Sequence, residues 1–188
     1  MTRVGYAGGA TIDPTYHNLG DHTESVQMDF DPLQVTYEDL LKVFWESHDP
    51  DYPASRQYRS VIFYHDDPQK SLALDSKERE ERERRKKLYT GIVPFSGFYL
   101  AEDYHQKFRL RREPDIMEEF RAMYPREEDI VNSTAAARTN GYLAGYGTYQ
   151  DLLQELSSLG LSEKAGNRLL QIMRTYRQSE WKPTCQIR

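Results

Sequence analysis

The sequence predicts a small two-layer α+β sandwich followed by a helical C-terminal region. Two observations carry this reading. Short β-branched and aromatic runs, VQMDF at 26–30, RSVIFY at 59–64 and FSGFYL at 95–100, alternate with helical patterns over the first 112 residues. After Arg112 the strand patterns stop and helical patterns follow one another, so the chain divides into residues 1–112 and a helical extension over 113–188.

Taken in order, Val26 to Phe30 alternates with the period of a half-buried strand, and Asp31-Pro32 closes it. Thr36-Tyr37-Glu38-Asp39 then has the form of a capping box with Thr36 as N-cap, and Leu40, Leu41, Phe44 and Trp45 fall on one helical face. His48-Asp49-Pro50 ends that helix, because a residue before proline is pushed out of the α region. Arg59 to Tyr64 reads as a buried strand with His65-Asp66-Asp67-Pro68 as its turn. Residues 69–89 read as a long helix. Every position from Lys77 to Lys87 is charged, with acids and bases near i,i+4 distance, which describes a solvated helix face. Ile92 to Pro94 and Phe95 to Leu100 supply a further strand. Beyond it, 114–124, 131–139, 149–159 and 162–177 read as helices, with Ser162 capping the last and 141–147 as a glycine-rich linker.

Composition excludes several classes. A formal net charge of -5 leaves no basic excess for a phosphate backbone, so nucleic acid is not an expected partner. No run of 18 apolar residues and no signal-peptide plan occurs, which predicts neither a membrane span nor secretion and places the expectation in the cytoplasm. The single cysteine, Cys185, rules out an internal disulfide and an all-cysteine metal site. Five histidines, at 17, 22, 48, 65 and 105, lack the i,i+4 spacing of a helical metal pair, and no metal site is expected.

Three stretches can carry chemistry. In Val4-Gly5-Tyr6-Ala7-Gly8-Gly9, glycines around a tyrosine permit a sharply bent backbone and close approach of a ligand, with Tyr6 as a donor; taken alone, the stretch reads first as a plain strand and turn. Asp21-His22-Thr23-Glu24 sets an acid beside an imidazole, and Glu24 is either a general acid in a desolvated setting or a solvated side chain. Gln57-Tyr58-Arg59-Ser60 adds a second phenol, or simply opens a strand.

In combination these are far more specific. VGYAGG, PTYHNLGDHTE, DFDP, YEDLLKVFWESHDP, RQYRSVIFY and YLAEDYHQKF, in this order over residues 2 to about 108, resemble the peptide methionine sulfoxide reductase A family, which reduces the S epimer of methionine sulfoxide. The resemblance implies a ferredoxin-like two-layer sandwich. It also implies a mechanism in which a cysteine of a Gly-Cys-Phe-Trp motif attacks the sulfoxide sulfur, an acid protonates the oxygen and tyrosines hold it. Matched position by position, the acid is Glu24 and the tyrosines are Tyr6 and Tyr58; Asp51 is a candidate for a family aspartate that precedes Gln-Tyr-Arg-Ser. No bound cofactor is implied. Thioredoxin or another thiol is the reductant, and oxidised proteins or free methionine sulfoxide are the partners. The Gly-Cys-Phe-Trp motif, which in the family lies upstream of VGYAGG, is not in the sequence, so an N-terminally shortened reductase is expected. The alternative is an inactive family member that binds methionine sulfoxide or a protein, with the charged helix and the C-terminal region as partner surface. Cys185 reads as an inert thiol, a resolving thiol or a substitute nucleophile.

Overall fold

The computed structural model describes residues 1–178. Its strands and helices are β1 (Thr2–Ala7), β2 (Thr23–Met28), α1 (Tyr37–Ser47), β3 (Val61–Tyr64), α2 (Asp67–Arg84), β4 (Gly91–Pro94) and β5 (Phe98–Leu100), then α3 (Phe108–Arg111), α4 (Pro114–Met123), α5 (Glu127–Val131), α6 (Thr134–Leu143), α7 (Tyr149–Glu155) and α8 (Glu163–Gln178). The architecture is α+β, as the sequence predicts. Two compact units form: Val4–Ala101, and Met1–Arg3 with residues 102–178.

Within Val4–Ala101 the strands lie in two sheets, one ordered β2-β1-β5 and one pairing β3 with β4. β1 runs antiparallel to β5 with Tyr6 opposite Tyr99, and β3 runs parallel to β4 with Ile62 opposite Ile92. Parallel strands need a crossover, and α2 supplies it. The core of this unit gathers Leu41 and Trp45 of α1, Ile62 of β3, Ala73 of α2 and Leu88. Trp45 is 1% exposed, and its indole Nε1 donates to Ser76 Oγ at 3.1 Å, so the one polar atom of a buried ring is satisfied.

Local rules explain most boundaries. Thr36 caps α1 by accepting from Asp39 N at 3.1 Å, while Asp39 Oδ2 accepts from Thr36 N at 2.9 Å. Asp66 caps α2 by accepting from Gln69 N at 2.8 Å, which starts that helix at Asp67, two residues before the predicted 69. It ends at left-handed Arg85 (φ 53) rather than at 89. Glu78–Arg82 and Glu80–Arg84 close at 3.1 and 3.0 Å as i,i+4 pairs on the charged stretch.

Three further boundaries differ, two for tertiary reasons and one for a local cap. β2 starts at Thr23, three residues before Val26, because the Thr23 hydroxyl is tied to residues 56 and 59. The predicted helix over 131–139 is two helices, α5 and α6, with Ser133 as the second N-cap accepting from Ala136 N at 3.1 Å. The expected linker at 141 is helix through Leu143: Tyr142 and Leu143 are both buried in the core of the helical unit, and burial of two large side chains outweighs the cost of a helical Gly141. That core is built on Leu110, Ile116, Phe120, Leu152 and Leu169, all fully buried. Lys107, left-handed at φ 50 and 5% exposed, donates from Nζ to the carbonyls of Thr2 and Val131. Burial pulls its pKa down to about 8.

The end of α1 carries a titrating chain of hydrogen bonds. His48 donates from Nδ1 to Phe44 O at 2.8 Å, so Nε2 accepts from Ser60 Oγ at 2.7 Å, and Ser60 Oγ in turn accepts from Thr90 at 2.7 Å. Burial holds the His48 pKa below 6.5; the Arg84 charge works in the same direction, against the Phe44 bond and Asp49. The unfolded chain therefore takes up the proton first as pH drops, and stability present above about pH 6.5 declines below it. The urea midpoint is expected to fall between pH 7.5 and 5.5, and by less in His48→Asn; equal slopes would show that His48 is not the group. Trp45→Ala is expected to lower unfolding free energy by about 3–5 kcal/mol, read from the same urea curves.

Candidate active site

Residues 8–24 lack regular structure until β2, yet each turn of the chain is pinned. Gly8 is left-handed at φ +77. At Gly9 a Cβ would come within 2.5 Å of Asp21 Oδ1 and 2.7 Å of the His22 ring, so only glycine lets this loop close on the Asp21-His22 segment. Asp21 accepts from Ala10 N at 2.8 Å and, through Oδ1, from Thr11 N at 3.0 Å and Thr11 Oγ1 at 2.8 Å. The Thr11 bonds first, and Ala10 after them, hold its carboxyl well below the usual carboxylate range.

His22 is 2% exposed, with Nε2 at 2.8 Å from Thr11 O and Nδ1 at 3.2 Å from Gly9 N. A carbonyl on one side and an N–H on the other make Nε2 the donor and Nδ1 the acceptor. Thr23, with no exposed surface, donates from Oγ1 to Arg56 O at 2.9 Å and accepts from Arg59 Nε at 2.9 Å. Glu24 then accepts at Oε1 from Gln57 Nε2 at 2.7 Å. Asp21 and His22 thus both hold the 9–11 stretch, while Thr23 and Glu24, at the start of β2, hold the 56–59 stretch.

The phenols gather on the same side. Tyr16 stands at the tip of a two-residue hairpin closed by Thr15 and Asn18, whose backbone bonds measure 3.2 and 3.0 Å. It packs against the small cluster of Tyr6, Leu19 and Ala101 and its hydroxyl is bonded to that of Tyr58. The Tyr58 pKa is raised above 10.0, by partial desolvation first, then by the Tyr16 bond and by the negative charge of Glu24. Glu24, Gln57, Tyr58 and Tyr16 therefore share one neighbourhood, which Tyr6 joins through Tyr16. Tyr6 is 2% exposed and belongs to the wall of this site more than to its surface.

Two residues of this cluster, Gln57 and Tyr16, are not among the sequence-derived candidates. Both lie inside stretches already singled out, PTYHNLGDHTE and RQYRSVIFY, and adjacency to Tyr58 was the available signal for Gln57. Asp51 has another partner: its Oδ2 pairs with Lys86 Nζ at 2.7 Å, beyond the end of α2. Cys185 lies outside the described residues. Among the described residues no group of three or more histidine, cysteine, aspartate or glutamate side chains could hold a metal ion, and no helix is long and apolar enough to cross a membrane.

Comparison with known proteins identifies relatives. The sequence pattern of the family described as "Peptide methionine sulfoxide reductase" matches residues 1–138. The "Peptide methionine sulfoxide reductase" of Drosophila melanogaster is 40% identical over 164 residues, covering 86% of this chain and 65% of the relative. The "Peptide methionine sulfoxide reductase A5" of Oryza sativa subsp. japonica is 43% identical over 150 residues, covering 76% and 58%. The chain thus spans less than two thirds of the length of these relatives. Among solved structures, reduced Mxr1 from Saccharomyces cerevisiae superposes with a TM-score of 0.56 at 30% identity, over 60% of this chain and 71% of that one.

The Thr23 hydroxyl is the hinge of the geometry. Thr23→Val keeps its shape and leaves the Arg56 carbonyl and the Arg59 guanidinium without a partner. It is expected to lower unfolding free energy by about 1–3 kcal/mol in urea denaturation. A loss below about 0.3 kcal/mol would mean that neither bond contributes.

Proposed function

Because this chain belongs to the peptide methionine sulfoxide reductase family, we propose that Glu24, Tyr58 and Tyr6 form the oxygen-binding side of a site for the S epimer of methionine sulfoxide, in oxidised proteins or as the free amino acid. The observation that carries this reading is the 2.7 Å bond from Gln57 to Glu24, which brings the HTE and QYR stretches to one point with Tyr58 next in the chain.

The chemistry asked of these residues is electrostatic. A sulfoxide oxygen already carries negative charge and gains more as the S–O bond weakens, so a carboxylic acid and phenols around it favour the transition state over the ground state. The overall reaction takes two electrons from two thiols. The sulfoxide becomes a sulfide, the oxygen leaves as water and the thiols join as a disulfide, by way of a sulfenic acid on the attacking sulfur. Both thiols, the attacking one and the one that closes the disulfide, belong to thioredoxin or another small dithiol, since the sequence holds a single cysteine, and no bound cofactor is needed. The compartment proposed is the cytoplasm. Asp51, held by Lys86, and Cys185 are given no step here.

The direct test follows the separate S and R epimers of a methionine sulfoxide peptide with excess dithiothreitol. The S epimer alone should be reduced, and Glu24→Gln should lower kcat/KM about 100-fold or more, the range of a lost general acid. Tyr58→Phe should cost about tenfold, as for one hydrogen bond. Turnover equal in Glu24→Gln and wild type would sink the assignment. Binding of the S epimer without turnover would make the chain a sulfoxide-binding member of its family.

A further inference from the structure

The two oxygens of Glu24 are not equivalent. Oε1 accepts the Gln57 amide at 2.7 Å. Gln57 cannot drift from that position, because it sits in the 3-10 turn Arg56–Tyr58 and both flanks of that turn are fastened to Thr23. On one side Thr23 Oγ1 donates to Arg56 O at 2.9 Å; on the other Arg59 Nε donates to the same hydroxyl at 2.9 Å. The amide is thereby placed against the residue that follows Thr23 in β2.

A carboxyl oxygen that accepts an amide N–H serves best as the carbonyl oxygen of the acid form, since a proton on it would compete with the amide hydrogen for the same lone-pair directions. The acid proton then resides on the other oxygen. We infer that Gln57 is a positioning residue that makes Oε2 the proton-carrying oxygen of Glu24 and fixes the direction from which the acid meets its ligand. This rests on the reading of Glu24 as the acid. In the step itself the O–H bond at Oε2 breaks and its proton joins the sulfoxide oxygen. The carboxylate left behind keeps the Gln57 hydrogen bond, now charge-assisted and stronger, so the same amide that orients the acid also receives the charge it develops.

The inference differs from a purely structural role for Gln57. Fold support in this region comes from Thr23, Arg56 and Arg59, which a change at Gln57 leaves in place. Gln57→Met keeps side-chain length and removes the amide, and with it the bonds to Glu24 and to the Tyr58 hydroxyl.

The experiment has two arms. In the first, the side-chain amide protons of Gln57 are followed by NMR in the full chain and in Glu24→Ala. One amide proton should be shifted downfield in wild type and lose that shift in Glu24→Ala; an amide pair indifferent to Glu24→Ala overturns the inference, whatever Glu24 does. In the second arm, binding of N-acetyl-methionine S-sulfoxide is measured by calorimetry, with thermal melting as control. Gln57→Met should weaken binding about tenfold, the cost of one misdirected hydrogen bond, with an unchanged melting temperature. Unchanged affinity in Gln57→Met, with Glu24→Gln impaired, overturns the inference and leaves Glu24 as the acid. Unchanged affinity in Glu24→Gln defeats the reading of Glu24 itself, while the first arm still reports on the Gln57 bond.

Discussion

A hydroxyl with no access to water holds the candidate site in register. Thr23 Oγ1 serves as donor to Arg56 and acceptor for Arg59, joining segments 33 and 36 residues apart. A buried hydroxyl lacking partners costs roughly 1–3 kcal/mol, so the two bonds are obligatory once Thr23 is inside. Their geometric effect exceeds their energy. They grip the chain on both sides of Gln57-Tyr58, and Glu24 follows Thr23 directly, so the acid and its neighbours inherit their spacing from one buried atom.

How much of this was legible in the sequence depends on where each instruction lies. The start of α1 was legible because Thr36 and Asp39 satisfy each other three residues apart, with no help from the rest of the chain. The start of β2 was not, since nothing in TESVQM shows that Thr23 will find Arg56 and Arg59. The helix through Gly141 was hidden for the same reason: Tyr142 and Leu143 are helical because a core receives them. In the site, Glu24, Tyr6 and Tyr58 stood out only as parts of longer motifs. Gln57 gave no signal of its own, being neither ionisable nor nucleophilic, and Tyr16 is one of 14 tyrosines. Asp51 shows the reverse case, an acid whose candidacy was local while its partner, Lys86, comes from 35 residues away.

Different physics supports the helical unit and the irregular segment over residues 8–24. The helical unit is ordered by apolar burial, with Leu110, Ile116, Phe120 and Leu169 wholly inside. Residues 8–24 bury few large side chains. They are ordered by polar groups that each find a partner: Asp21 for the amides of Ala10 and Thr11, His22 for Gly9 and Thr11, Thr23 for Arg56 and Arg59. Such a network is cooperative, because each member fixes the geometry that the next requires. It also suits a site that must present polar groups at defined angles, a demand that non-directional apolar packing does not meet.

The buried indole of Trp45 has a practical consequence. The sequence holds two tryptophans, at 45 and 181, and the indole of Trp45 reaches from α1 to α2, where its Nε1 donates to Ser76. In a Trp181→Phe background, fluorescence excited at the red edge of indole absorption, beyond that of tyrosine, would come from that ring alone. Emission would then follow the packing of residues 4–101, while far-ultraviolet circular dichroism, to which α1 and α2 contribute as well as the helices after residue 102, would follow both units. Two optical signals would thus resolve whether the units melt together or apart, without any label attached to either.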